Sequence, residues 1–189
     1  GSKKLGDERV FVNTEILQAE GPAGEDYRKR KLLEHYLEPV ALKGDLKVMD
    51  VCLLLCLCEK HEWDSRRELA DFAGITRTNL TSGLQRLTMK GFLKVEEVKE
   101  PKPSKKDKTT GKNKMKAAEM AETKRKERGG RIAVTILPAA DAVMKELEMA
   151  QRDYDAARFA GFTEEELIQY ADLSEKIKEN TKNILYFLN

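Results

Sequence analysis

The stretch that decides the fold is Ser65-Arg66-Arg67-Glu68-Leu69-Ala70-Asp71-Phe72-Ala73-Gly74-Ile75-Thr76-Arg77-Thr78-Asn79-Leu80-Thr81-Ser82-Gly83-Leu84-Gln85-Arg86-Leu87. Ser65 followed three residues later by Glu68 is the pattern of a capping box, in which each side chain satisfies a free N–H at a helix start. The helix behind it carries Leu69, Ala70 and Phe72 and stops at Gly74. Thr76 caps a second helix whose Leu80, Leu84 and Leu87 fall on one stripe. Two short helices joined by Ala73-Gly74-Ile75-Thr76 read as a helix-turn-helix.

The outer face of the second helix carries Arg77, Thr78, Asn79, Thr81, Ser82, Gln85 and Arg86, and no Asp or Glu lies between Thr76 and Lys90. Phosphates repel carboxylates, and hydroxyl, amide and guanidinium groups suit base edges, so this face is a candidate reader of duplex DNA. A merely solvated face would mix both signs of charge. Arg66, Arg67, Thr76 and Lys90 join the candidate DNA contacts.

Outward from this motif, residues 46–61 are apolar nearly all the way round and read as a central core helix. Its Cys52, Cys56 and Cys58 read as small buried hydrophobes, and three cysteines on one helix fit a reducing cytoplasm. Upstream, residues 25–40 read as a helix with a Leu33, Leu37, Val40 stripe, after a break at Gly21-Pro22-Ala23-Gly24 and with Pro39 in its last turn. Residues 1–24 form an extension whose Gly1-Ser2 is a cleavage remnant.

Downstream, Phe92-Leu93-Lys94-Val95-Glu96-Glu97-Val98 and Arg131-Ile132-Ala133-Val134-Thr135-Ile136 read as paired strands, a wing directly after the second helix. Between them lies a Lys-rich insert, residues 99–130. Over 99–131 the net charge is +8, which leaves −6 for the remainder of a chain whose total is +2. The insert sits at the wing tip and ends at Arg128 and Arg131. Two long helices follow: one starts near Pro138 with Val143, Leu147, Ala150 and Tyr154 in register, and one follows the capping box Thr163/Glu166 with Tyr170, Leu173, Ile177, Ile184 and Phe187. These stripes exceed what a small winged domain can cover, and a second copy of the chain is the expected cover.

The fold class expected is mostly α with a small β wing (α+β). It is a winged helix-turn-helix over residues 46–137, flanked by a helical dimerisation region at 25–45 and 138–189. The longest apolar run, residues 51–58, is far below the ~18 residues that a membrane span needs. His35 and His61 have no acid at triad or ligand spacing, Cys56-Leu57-Cys58 is too close for a zinc pair, and no Gly-rich phosphate loop occurs, so neither an enzyme nor a metal or cofactor site is expected. Redox sensing would need an exposed thiolate, which Leu-rich surroundings oppose. A competing function is a winged-helix protein-interaction module whose Lys-rich wing docks an acidic partner.

The order of helices resembles the multiple antibiotic resistance regulator (MarR) family. Residues 67–81 are similar to the family's helix-turn-helix. Leu84-Gln85-Arg86-Leu87 with Lys90-Gly91-Phe92-Leu93 is similar to its exit from the second helix. Phe162-Thr163-Glu164-Glu165-Glu166-Leu167 is similar to its closing helix. The resemblance covers residues 25–188 apart from the insert, and the wing is about thirty residues longer than the family's; it implies a wing arginine that enters the minor groove, for which Arg128 and Arg131 are both candidates. It implies a cytoplasmic, non-enzymatic homodimer acting as a repressor on a pseudo-palindromic DNA operator. It further implies release by a small aromatic or anionic effector, bound between the dimerisation helices and the winged domain.

Overall fold

The computed structural model describes residues 14–17, 21–98 and 130–188. Among them six α-helices and three short strands follow in the order α1 (Pro22–Lys43), α2 (Val48–Glu59), β1 (Glu62–Trp63), α3 (Arg66–Ala73), α4 (Arg77–Met89), β2 (Leu93–Glu97), β3 (Ile132–Ile136), α5 (Asp141–Arg158) and α6 (Glu164–Leu188). Single 3-10 turns cover Thr14–Leu17 and Pro138–Ala140.

Helix α1 begins earlier than the sequence break suggests. Pro22 occupies the first helical turn, where its missing N–H costs nothing, and the helix continues through Pro39 to Lys43. The stripe of α1 is covered within the chain: Leu37, Val40 and Ala41 are buried, and α1 packs on α2 and α5. Val143, Leu147 and Ala150 of α5 are buried in the same core. A second copy is therefore not needed to cover either stripe.

Helix α2 is the core helix, with Val51, Leu53, Leu54 and Leu57 essentially inaccessible. Its cysteines correct the expectation of three buried hydrophobes: Cys52 and Cys56 are half-buried and Cys58 is exposed. Both side-chain caps form, and the box at Ser65 closes one residue early, on Asp64. The Glu68 N–H donates to Ser65 Oγ at 3.1 Å, while Glu68 Oε2 accepts from the Asp64 N–H at 2.7 Å. At α6 the box is fully reciprocal, Thr163 N–H to Glu166 Oε1 at 3.0 Å and Glu166 N–H to Thr163 Oγ1 at 3.2 Å. Gly74 closes α3 at φ 68, the left-handed region in which a Cβ is strained.

The wing has three strands where the sequence suggested two. β3 is central, antiparallel to β2 with Leu93 opposite Ile136 and Glu97 opposite Ile132, and to β1 with Trp63 opposite Ile132. The two-residue β1 is too short to show a period, yet it delivers Trp63, the only tryptophan and the largest fully buried side chain. Trp63 is covered by Phe72, at 4.9 Å between ring centroids, and by the Lys60 ammonium at 4.5 Å. Phe72 is itself half exposed rather than inward. The 99–129 insert lies outside the described residues.

Leu54→Ala should lower unfolding free energy by about 2–5 kcal/mol, the cost of a large-to-small change at a fully buried site. Urea titration followed by Trp63 emission measures it directly, and a loss below about 1 kcal/mol would contradict a core centred on α2.

Candidate nucleic-acid interface

Thr76 caps α4 through its Oγ1, which accepts from the Asn79 N–H at 3.1 Å. The helix then turns its leucines in and its polar groups out. Leu80, Gly83, Leu84 and Leu87 are buried. Thr76, Arg77, Thr78, Asn79, Thr81 and Gln85 are exposed, and Ser82 is half-buried. Those exposed residues lie on the side of α4 turned away from its leucines. Thr81 Oγ1 donates back to the Arg77 carbonyl at 2.9 Å, so its hydroxyl is committed locally.

Arg86 departs from the expected outer face. Its guanidinium grips the Asp50 carboxylate two-pronged, Nη2 to Oδ1 at 2.7 Å and Nε to Oδ2 at 3.0 Å. Asp50 is 1% exposed. A buried carboxylate needs a charged, hydrogen-bonding partner, so Arg86 is spent on the interior and is withdrawn from the set of free DNA contacts. Gly83, one turn earlier, makes room for this pair: a Cβ there would stand 3.2 Å from Leu53 Cδ2 and 3.4 Å from Asp50 Oδ1. Asp50 is the residue that the sequence reading missed. Its signal was a carboxylate placed ahead of the long apolar run 51–58 of the same helix, with an arginine far downstream to match it.

Three of the remaining cationic candidates, Arg66, Lys90 and Arg131, meet surface carboxylates. Arg66 meets Glu97 at 3.7 Å, and Lys90 meets Asp45 at 3.8 Å. Arg131 meets both Glu62 and Asp64 at 3.6 Å, at the base of the wing. Arg67 is exposed at the start of α3. Arg128 lies outside the described residues. Exposed pairs of this kind are weak and exchange readily, so these cations are not fixed as Arg86 is. The wing sheet itself is acidic: Glu62, Glu96 and Glu97 are all exposed.

Burial pushes the Cys56 thiol up to about 11, helped by the neighbouring Glu59 charge. Burial also raises Cys52, with Glu34 adding to it, and Cys58, with Glu59 adding to it. These thiols stay protonated at neutral pH. No group of three or more His, Cys, Asp or Glu that could hold a metal occurs among the described residues. Nor, among them, is any helix long and apolar enough to cross a membrane.

The geometry defines a winged helix-turn-helix. No protein-family profile and no curated protein matches the chain, but solved structures do. A MarR transcriptional regulator from Methanosarcina mazei Go1 superposes with a TM-score of 0.57 at 11% identity, over 86% of this chain and 96% of that one. A crystal structure of MarR gives 0.57 at 14% identity, over 88% and 95%. A MarR-family transcriptional regulator from Silicibacter pomeroyi gives 0.54 at 18% identity, over 81% and 84%. The fold is thus of MarR type, with a shared architecture and little shared sequence.

Arg86→Ala strands the Asp50 carboxylate in the interior and should cost about 3–5 kcal/mol of stability, the range for an orphaned buried charge. Asn79→Ala and Gln85→Ala, on the exposed face, should stay within about 0.5 kcal/mol of the parent. Equal losses for all three in chemical denaturation would contradict the structural role of Arg86. Alkylation of Cys56 should rise about tenfold per pH unit through the neutral and mildly alkaline range, because the thiolate fraction does so below its pKa; a rate already flat near neutrality would contradict a raised value.

Proposed function

We propose that the chain is a transcription regulator, a repressor, that binds a pseudo-palindromic duplex operator as a homodimer. In this reading α4 enters the major groove, the wing lies on the backbone or minor groove, and a small aromatic or anionic ligand releases the DNA. The observation that carries it is the acid-free outer surface of α4, with Arg77, Thr78, Asn79, Thr81 and Gln85 all exposed on a chain that holds 33 acidic residues. A base-reading helix needs donors and acceptors without carboxylates, and this surface supplies them. The MarR-type fold supports the same reading, since the proteins it is shared with are described as transcriptional regulators.

Helix α6 supports dimerisation. None of its residues is buried, and Leu173, Ile177, Ile184 and Phe187 are 57%, 67%, 62% and 85% exposed. An apolar stripe of that length is unstable in water without a partner helix. The α1 stripe contributes less than its sequence suggests, because Leu37 and Val40 are already covered.

In gel-shift titrations on a selected operator, Asn79→Ala or Gln85→Ala should alter base preference by about 1–3 kcal/mol per lost two-pronged contact. Arg77→Ala should weaken all sequences alike if it meets phosphate. Replacing residues 101–127 by a short Gly-Ser turn should keep operator preference. It should also lower the slope of log affinity against log salt by roughly 2–4, since lysines act on phosphates as point charges. Unchanged affinity in all the α4 variants would reject α4 as the reader. A particle of 21.5 kDa at micromolar concentration by light scattering would reject the dimer.

A further inference from the structure

Helix α6 leaves the body at one corner. Residues 159–163 alone join it to α5, and none of its own residues is buried. Core packing therefore does nothing to set its direction over its 25 residues, a length of about 37 Å at ~1.5 Å per residue. Play of about 10° at the corner would move the far end by about 6 Å. Whatever fixes the direction of α6 within a single chain acts at its first turns.

Four rings and one guanidinium meet there. Arg158, the last residue of α5, is half-buried; its guanidinium lies 5.0 Å from the Tyr154 ring centroid and 5.2 Å from that of Phe159. Phe159 stands edge-on to Phe162 at 5.3 Å and to Tyr170 of α6 at 4.8 Å. Arg158 also hydrogen-bonds the Tyr170 hydroxyl, which its bond to Ser174, then Arg158 and the Lys29 charge, hold below the usual tyrosine range. On the other side Tyr154 meets Tyr36 of α1 at 6.5 Å, so the contacts run from α1 through α5 to α6. Edge-on rings alone tolerate a broad range of angles. A guanidinium stacked on rings and bonded to a hydroxyl is directional. The nearest carboxylate, Asp155, is 3.7 Å away, too far for a good hydrogen bond, so the rings and Tyr170 are what hold Arg158.

We propose that Arg158 is the positioning residue of α6: through Tyr154, Phe159 and the Tyr170 hydroxyl it fixes the angle between α5 and α6 within a single chain, before any second copy docks. A helix already aimed loses little further freedom when its apolar stripe meets a partner, which favours association. The consequence for a dimer, that two chains meet at one angle and hold their α4 helices at one separation, rests on the dimer reading above. The angle itself does not.

Pulsed dipolar spectroscopy on the full chain tests the angle. Spin labels carried by a ketone-bearing unnatural amino acid replace the exposed Glu148 of α5 and Glu179 of α6, leaving the cysteines untouched. The labelled chain is diluted into excess unlabelled chain, so only the distance within one chain is read. The expected result is one narrow distance distribution for the parent and, from play at the corner, one roughly twice as wide for Arg158→Ala, with the melting temperature unchanged. Tyr170→Phe, which removes only the hydroxyl, should widen it too, and decides alone if Arg158→Ala does not fold. Asp155→Ala, which removes only the exposed ion pair, should leave it narrow. A parent distribution that is already wide, narrow distributions in both Arg158→Ala and Tyr170→Phe, or equal widening by Asp155→Ala would overturn the proposal. Light scattering on the same samples counts copies separately: a monomeric parent rejects the dimer reading, while the width judges the clamp in either case.

Discussion

The two-pronged contact between the Asp50 carboxylate and the Arg86 guanidinium ties the core helix α2 to α4, and the orientation of α4 depends on it. Asp50 sits in an interior formed by Val51, Leu53, Leu54 and Leu57, where an unpaired charge would be prohibitive. Only one rotation of α4 about its axis brings Arg86 within 2.7 Å of it. The same rotation puts Leu80, Leu84 and Leu87 inward and Gly83 against Leu53. A purely apolar seam could slide by part of a turn at little cost. A hydrogen-bonded ion pair cannot, because its geometry is directional. We attribute to this pair the fixed presentation of Arg77, Thr78, Asn79, Thr81 and Gln85 on the outside.

The electrostatic layout follows from that presentation. The carboxylates are gathered on the wing sheet and on the body, where Glu62, Asp64, Glu68 and Glu97 each meet a nearby cation. The start of α4 is left free of them. An acidic body held behind a neutral-to-basic surface would orient a polyanion toward that surface and repel it elsewhere. Arg66 and Arg131, in weak exposed pairs, can exchange a carboxylate for a phosphate without leaving a buried charge behind. Arg86 cannot, which separates cations of similar appearance in the sequence into two different roles.

Much of this was legible in the sequence, and the gaps have identifiable causes. The capping boxes at Ser65 and Thr163 and the Thr76 cap were readable because local hydrogen bonds have local signatures. The leucine stripe of α4 was readable because its period is local too. Arg86 was misplaced because its partner lies 36 residues away, outside any local pattern. Strand β1 was missed because two residues carry no periodicity, and Trp63 gains its burial only through its pairing with β3. Pro22 and Pro39 read as boundaries, but one lies in the first turn and the other is tolerated within a packed helix. The cover of Leu37 and Val40 by α5 is a long-range event that no window of the sequence contains.

The central claim is that a fixed, acid-free face of α4 reads duplex DNA, once per copy of a two-fold dimer. Selection of bound duplexes from a random-sequence pool tests it most directly, because it yields both sequence and spacing without assuming either. The account predicts enrichment of two inverted half-sites whose centres lie about one helical turn apart, on the order of 10 base pairs. A bound pool indistinguishable from the input, or one enriched for a single unpaired half-site, would contradict it.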